Sequence, residues 1–267
     1  MRQSRIVACA SSLLLTACFS SAATVQASAR AAATGYVALG DSYSAGVGAG
    51  GYLGSSASCL RSSLAYPALW AAAHSPSSFS FTACNGARTS DVMADQLGAL
   101  SSRTGLVSLT VGGIDSGFGN LMMTCVLKGN NECLSAVAEA RSYSDTILPR
   151  DLDRLYGAIT RKAPAAHVVV LGYPHLYKLN GTCVMGLSDS ERAALNNAVD
   201  HLNGVIEKRA ADHGFAFADV RAAFREHEIC SASPWLRSIS WLAPSESYHP
   251  TALGQSRGYL PVFAGAA

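Results

Sequence analysis

The chain has 267 residues, of which 49% are hydrophobic and 14% are charged, and this composition suits one well-buried globular domain, or at most two. Its 20 Lys and Arg nearly balance its 18 Asp and Glu. Because the sequence has no basic run and no acidic tail, nothing in it indicates nucleic-acid binding.

The first 29 residues are predicted to form a secretory signal peptide. Arg2 and Arg5 give a basic start, residues 6–25 are uncharged and weakly apolar, and small residues at positions 27–29 offer a cleavage site. We therefore expect a secreted protein whose mature domain spans residues 30–267.

Two other interpretations of this segment stay open. A membrane anchor would ordinarily be more apolar than this stretch, which is rich in Ala and Ser. Residues 15–18, "LTAC", resemble the lipobox of bacterial lipoproteins, which are cut before the cysteine and lipidated on it. Phe19 is larger than the residue that usually follows that cysteine. Secretion is thus the favoured prediction, and anchoring through Cys18 is the minor alternative.

Five short runs typical of β-strands alternate with helical patterns along the rest of the chain. The predicted strands span residues 36–39, 79–82, 106–111, 167–171 and 215–218. The predicted helices span residues 66–73, 90–97, 145–162, 188–213 and 251–262. Such alternation predicts a single-domain α/β fold, in which helices cover both faces of a parallel sheet.

One more segment, residues 118–127, reads "FGNLMMTCVL" and has two interpretations. Its apolar residues could line a pocket for an acyl chain or meet a lipid surface. The same pattern is equally typical of a helix that faces the core.

Eight cysteines are present, and two of them, Cys9 and Cys18, belong to the predicted signal peptide. An even number in an exported domain indicates disulfides, although sequence alone does not choose among the possible pairings. No CxxC motif occurs, so we expect no zinc site. Short sequential loops favour the pairs Cys59–Cys84, Cys125–Cys133 and Cys183–Cys230.

Ser42 is a candidate nucleophile because it directly follows the first predicted strand in "VALGDSYSAG". Parallel sheets bind ligands at the carboxyl ends of their strands. A serine hydroxyl also needs a general base and donors for the developing oxyanion. Of seven histidines, His249 stands out, since it precedes Pro250 in a turn that leads into the last predicted helix. His175, after the fourth strand, is a weaker candidate for a substrate contact.

Four short motifs together resemble the SGNH hydrolase family, also called GDSL esterases. They are "GDS" at residues 40–42, Gly86 in "TACNGARTSDV", "GGID" at residues 112–115 and "HP" at residues 249–250. The resemblance extends from about residue 36 to residue 260. The segments "TVGGIDSGF", "GYPHLYK" and "CSASPWLRS" are also similar to secreted actinomycete-type lipases and phospholipases A, a branch that typically has three disulfides.

The resemblance implies a three-layer α/β/α sandwich of the SGNH or flavodoxin-like type. It also implies that Ser42 is the nucleophile, that His249 is its base, and that the N–H groups of Ser42 and Gly86 form the oxyanion hole. The expected activity is cleavage of carboxylic esters of lipids, either glycerophospholipids or acylglycerols, without a cofactor or metal. The expected partners are a lipid or small ester substrate and, transiently, a lipid surface, with the protein acting as a monomer.

Two positions depart from the family pattern. The family normally has an aspartate three residues before the histidine, where this chain has Glu246. Either that carboxylate or a main-chain carbonyl of Ser245, Glu246 or Ser247 would orient His249, and the sequence does not decide between them.

The second departure is Ile114, which replaces the asparagine of the family's "GGND" and cannot donate a hydrogen bond. We therefore expect a slowed enzyme, unless Asn85 or Asn120 supplies the missing donor. The remaining alternatives are an esterase for acetylated sugars or small soluble esters, and a degenerate, non-catalytic binder of lipids or glycans.

Overall fold

The computed structural model describes residues 35–183 and 186–267. The predicted signal peptide, with Cys9 and Cys18, lies outside the described residues. None of the helices in the described ranges combines the length and the apolarity needed to cross a bilayer.

A five-stranded parallel sheet forms the centre of the fold, with strand order β2-β1-β3-β4-β5. The strands are β1 (Tyr36–Ala38), β2 (Phe79–Phe81), β3 (Leu106–Leu109), β4 (His167–Leu171) and β5 (Ala216–Ala218). In the register, Val37 lies opposite Ser80 on one side and Val107 on the other. All five predicted strands are confirmed, with bounds that differ by at most two residues. The order is the doubly wound, flavodoxin-like one, whose topological switch point falls between β1 and β3.

Helices cover the two faces of the sheet, which confirms the predicted three-layer α/β fold. They are α1 (Ser42–Ala45), α2 (Tyr66–His74), α3 (Thr89–Asp91), α4 (Phe118–Leu127), α5 (Asn130–Thr146), α6 (Leu148–Lys162), α7 (Asp189–Asp212), α8 (Arg221–Phe224) and α9 (Leu260–Ala266). Helices α2 and α9 pack together, whereas α5, α6 and α7 form a second packed group. The ring of Tyr36 on β1 contacts the ring of Trp70 on α2 and the ring of Phe263 on α9, at centroid distances of 5.1 and 5.6 Å.

The helix predictions hold for α2 and α7 and need correction elsewhere. Ser188 and Glu191 form a capping box at the start of α7. The segment predicted as one helix over 145–162 is instead the end of α5 and all of α6, which separate at Ile147 because Pro149 in the first turn of α6 lacks a backbone N–H. The segment 90–97 is a succession of α, π and 3-10 turns, and 251–262 contains a π-helical turn, Gly254–Tyr259, before α9.

Three disulfides join the cysteine pairs that short sequential loops favour: Cys59–Cys84, Cys125–Cys133 and Cys183–Cys230. The first of them ties the 3-10 turn Gly54–Cys59 to the loop that carries Gly86. The second joins α4 to α5, so that the apolar helix α4 is held against the rest of the domain.

Candidate active site

Ser42 begins the short helix α1 at the carboxyl end of β1. Gly40 makes the turn between them with φ +118°, and a side chain there would lie 2.4 Å from the carbonyl oxygen of Thr110. Asp41 then caps α1 by accepting a hydrogen bond from the N–H of Tyr43 at 3.0 Å. The backbone therefore presents Ser42 at the sheet edge, at the switch point between β1 and β3.

The Asp41 carboxylate joins the ends of three strands. The hydroxyls of Thr110, after β3, and Tyr173, after β4, donate to it at 2.6 and 2.5 Å. Burial raises the pKa of Asp41 to about 6, against the opposing effect of these donors. The group is buried behind Ser42, where its hydrogen bonds stabilise the geometry of the edge.

His249 and Ser42 are brought together from positions 207 residues apart, with His249 Nε2 2.6 Å from Ser42 Oγ. His249 Nδ1 lies 2.9 Å from the carbonyl oxygen of Ser247. A carbonyl only accepts, so Nδ1 carries the proton and Nε2 is left to accept from Ser42. Desolvation by burial lowers the pKa of His249 to about 4, so the ring is neutral at pH 7. This is the protonation state that a general base requires.

The loop that carries His249 is held on both sides. Tyr43 OH donates to the carbonyl oxygen of Tyr248 at 2.7 Å. The N–H of Arg237 donates to the carbonyl oxygen of His249 at 2.9 Å, and the N–H of Tyr248 donates to the carbonyl oxygen of Arg237 at 3.0 Å. Gly48 packs directly beneath, since a Cβ there would lie 2.8 Å from the Cβ of His249. The histidine position thus depends on a closely fitted loop.

Glu246, the residue at the family's aspartate position, makes its hydrogen bonds elsewhere. Its Oε1 accepts from Tyr52 OH at 2.7 Å, and its Oε2 lies 3.3 Å from Arg237 Nε. The two alternatives for orienting His249 are therefore unequal in the structure: the carbonyl of Ser247 contacts Nδ1, whereas the carboxylate of Glu246 is turned toward Tyr52 and Arg237. Glu246 supports the loop rather than the imidazole.

Gly86 lies in an exposed turn with φ +76°. This turn is brought to Ser42 because the N–H of Cys84 donates to the carbonyl oxygen of Gly40 at 3.0 Å. In the part of the chain that the structure describes, no acceptor takes the N–H of Ser42 or of Gly86. Both groups are therefore free to donate to a ligand.

Ile114 and Asn85 both line the cavity beside Ser42, whereas Asn120 is exposed and lies outside the lining. Asn85 therefore remains a candidate for the donor that the missing asparagine would supply, whereas Asn120 does not. Ile114 itself faces the cavity and is not enclosed in the core. The aspartate of "GGID", Asp115, accepts from the hydroxyl of Thr89 at 2.6 Å and so anchors the start of α3.

An apolar cavity of about 480 Å³ opens above Ser42 and His249. Its walls include Phe118, Met122 and Val126 from one face of α4, and Leu176, Val199 and Leu202 from beyond β4 and from α7. Helix α4 also buries Leu121 and Cys125, so both interpretations of residues 118–127 apply to different faces of one helix.

His175, expected as a weaker candidate for substrate contact, lies outside this cavity and pairs with Asp200 at 2.7 Å. Among residues 35–183 and 186–267, no cluster of His, Cys, Asp and Glu is arranged to hold a metal ion.

A serine and a histidine hydrogen-bonded at the carboxyl edge of a parallel sheet, beneath an apolar cavity, are the arrangement of a serine hydrolase. The model of the GDSL-like Lipase/Acylhydrolase family matches residues 38–257. This chain therefore belongs to that family.

Relatives of this chain within the genus Streptomyces are enzymes of the same kind. Over 269 residues and the full length of both chains, it is 61% identical to Lipase 1 of Streptomyces coelicolor. It is similar in structure to phospholipase A1 from Streptomyces albidoflavus NA297, with a TM-score of 0.86 and 58% identity over 88% of this chain and 100% of that one. An extracellular lipase from Streptomyces rimosus matches with a TM-score of 0.85, also at 58% identity and with the same coverage.

Proposed function

We propose that this chain is a secreted hydrolase of lipid carboxylic esters, with Ser42 as nucleophile and His249 as general base. The observation that carries the proposal is the 2.6 Å contact between Ser42 Oγ and His249 Nε2 at the base of the apolar cavity. The 61% identity to a lipase and the structural similarity to a phospholipase A1 support it.

The reaction follows from the positions of these atoms. Ser42 Oγ attacks the ester carbonyl while its proton passes to His249 Nε2. The N–H groups of Ser42 and Gly86 donate to the oxyanion of the tetrahedral intermediate. His249 then gives the proton to the departing alcohol, which leaves an acyl group on Ser42. Water, deprotonated by His249, releases the fatty acid and restores the serine.

In this proposal the carbonyl of Ser247 orients His249 and stabilises the imidazolium that forms during the reaction. A serine–histidine dyad with a main-chain acceptor replaces the usual triad. Glu246 does not contact the imidazole; it stabilises the loop that carries His249 through its contacts with Tyr52 and Arg237.

The cavity favours a lipid acyl chain over the other substrate classes. A sugar ester would need several polar side chains to replace the water around its hydroxyl groups. The walls formed by α4, Leu176, Val199 and Leu202 offer hydrocarbon instead. The hydrogen-bonded serine and histidine also favour an enzyme over a non-catalytic binder, even with Ile114 at the oxyanion position.

We further propose that residues 1–29 direct export and that residues 30–267 are the mature hydrolase. The relative from Streptomyces rimosus that is described as an extracellular lipase supports this assignment. Three disulfides in the domain are also typical of an oxidising compartment.

A substrate panel with the purified mature protein tests the proposal. It contains a phosphatidylcholine, a triacylglycerol, a monomeric p-nitrophenyl ester and an acetylated xylan, with Ser42→Ala as the inactive control. We expect the highest kcat/KM on the lipid esters and no turnover by the control. A folded protein that prefers the acetylated xylan would contradict the lipid assignment, and one that hydrolyses none of the esters would contradict the enzyme assignment.

A further inference from the structure

Three of the four most exposed large hydrophobic side chains of the described residues line the catalytic cavity, and the fourth is the chain neighbour of one of them. Leu242 is 101% exposed, Trp241 75%, Met123 62% and Leu127 58%, whereas no other large hydrophobic residue in the described ranges exceeds 45%. Trp241, Met123 and Leu127 line the cavity, and Leu242 adjoins it as the neighbour of Trp241. Single exposed hydrophobic residues are ordinary, but a contiguous group of the most exposed ones indicates a contact surface.

The two segments that carry these side chains contain no charge. Residues 118–127 read "FGNLMMTCVL" and residues 238–245 read "SISWLAPS". Covering this surface with hydrocarbon therefore removes no ionised group from water, which would be the main penalty for burial. Lys128 follows Leu127 directly and is exposed, and a long cationic side chain of this kind can keep its charge in water beside an apolar surface.

Trp241 and Leu242 lie at the tip of the loop that also positions His249. The N–H of Ser240 donates to Ser247 Oγ at 2.9 Å, and the N–H of Ala243 donates to Ser240 Oγ at 3.2 Å. The carbonyl of Ser247 also contacts the imidazole of His249. Ser247 therefore connects the exposed tip to the base, through one hydrogen bond to Ser240 and one to His249. The tip is thus held in a fixed place relative to Ser42.

We propose that Trp241, Leu242, Met123 and Leu127 form a docking surface that inserts into the surface of a lipid aggregate. This inference rests on the proposed function, because it names how that site reaches its substrate. The occupant is a lipid surface because Trp241, Met123 and Leu127 line the same apolar cavity as Ser42, so an acyl chain can pass from the aggregate to Ser42 without crossing water. A second copy of the chain on the same surface would close the mouth. Tryptophan is also the residue that best suits the boundary between lipid and water.

Binding is measured first in the Ser42→Ala background, with phosphatidylcholine vesicles as the probe. Trp241 is an exposed reporter, whereas Trp70 is buried and Trp235 is stacked on His227 at 3.5 Å. We expect the fluorescence of Trp241 to shift to the blue when the protein binds vesicles. This shift should vanish in Trp241→Phe. Leu242→Asp should weaken co-sedimentation with vesicles at least tenfold. Leu64→Asp, at a leucine that is 38% exposed and outside the cavity lining, is the matched control and should change nothing.

Hydrolysis by the active protein then separates docking from catalysis. Leu242→Asp should keep the wild-type rate on monomeric p-nitrophenyl acetate and the wild-type melting temperature, but lose at least tenfold on vesicles. Equal loss on both substrates, or no loss on vesicles, would overturn the docking surface while leaving the hydrolase intact. A wild type that binds vesicles through Leu242 but hydrolyses no ester would support docking and refute the proposed function. A dimer that Leu242→Asp dissociates would overturn the lipid assignment in favour of self-association.

Discussion

Glu246→Gln separates a dyad oriented by a carbonyl from a triad completed by a carboxylate. Glutamine keeps the acceptor oxygen for Tyr52 OH and loses the ion pair with Arg237, while the carbonyl of Ser247 is unchanged. The contact that orients His249 therefore survives the substitution. A glutamine at this position removes charge and little else.

The expected magnitude is small. We predict kcat/KM within about fivefold of wild type, or roughly 1 kcal/mol in activation free energy. The corresponding Asp→Asn change in a serine-protease triad costs about 10⁴-fold, or roughly 5.4 kcal/mol. The free energy of unfolding should fall by about 1 kcal/mol or less, since Arg237 is 40% exposed in this ion pair. Because the negative charge of Glu246 raises the pKa of His249, its removal should move the acid limb of the pH profile to lower pH.

The assay is steady-state hydrolysis of a monomeric p-nitrophenyl ester from pH 3.5 to pH 9. Glu226→Gln is the matched control, because this carboxylate also pairs with a cation, Lys178, but lies outside the cavity lining. A loss of three or more orders of magnitude in kcat for Glu246→Gln, with an unchanged melting temperature, would refute the dyad and assign the orienting role to the carboxylate.

Three further predictions concern the base, the oxyanion hole and the loop. The pKa of His249 is about 4, and the base works only when the imidazole is neutral. We therefore expect kcat/KM to stay level as the pH falls to about 5 and to drop only below it. An acid limb centred near pH 6.5 would contradict this. Ile114→Asn should raise kcat at least tenfold with little change in KM, because one oxyanion donor is worth about 10²–10³ in turnover; an unchanged kcat together with a large loss in Asn85→Ala would assign the third donor to Asn85. Gly48→Ala should lower kcat by about 10²-fold, since the new methyl group would lie 2.8 Å from the Cβ of His249. The control is Gly50→Ala, because Gly50 also has positive φ but a Cβ there would meet no atom within 4 Å. Equal losses in both variants would refute the steric argument.

The sheet and the placement of Ser42 could be predicted from the sequence for physical reasons. Buried parallel strands are short, apolar and bounded by polar turns, so β3 and β4 stand out in the chain. Ser42 follows β1 immediately, and the carboxyl ends of parallel strands define the site edge. The contact between Ser42 and His249 could not come from periodicity, and it was expected only from the resemblance to a family.

Other features depend on tertiary contacts that leave no local pattern. Tyr52 and Arg237 turn the carboxylate of Glu246 away from His249 and leave the carbonyl of Ser247 facing it. Tyr52 is remote from Glu246 in sequence, and Arg237 lies on the other arm of the same loop. Helix α5 is absent from the predicted helices because it buries only Cys133, Val137 and Ser144, too few large apolar side chains to stand out in the sequence. The exposure of Trp241 is likewise invisible in a sequence where large apolar residues ordinarily indicate the core.

The central claim is that Ser42 is the nucleophile, activated by His249. The most direct test is to treat the mature protein with a fluorophosphonate and to locate the adduct by mass spectrometry of its peptides. We predict one adduct per protein on Ser42, with loss of ester hydrolysis in proportion to labelling and labelling slowed by orders of magnitude in His249→Ala. An adduct on another residue, or full hydrolytic activity in a protein labelled at Ser42, would contradict the account.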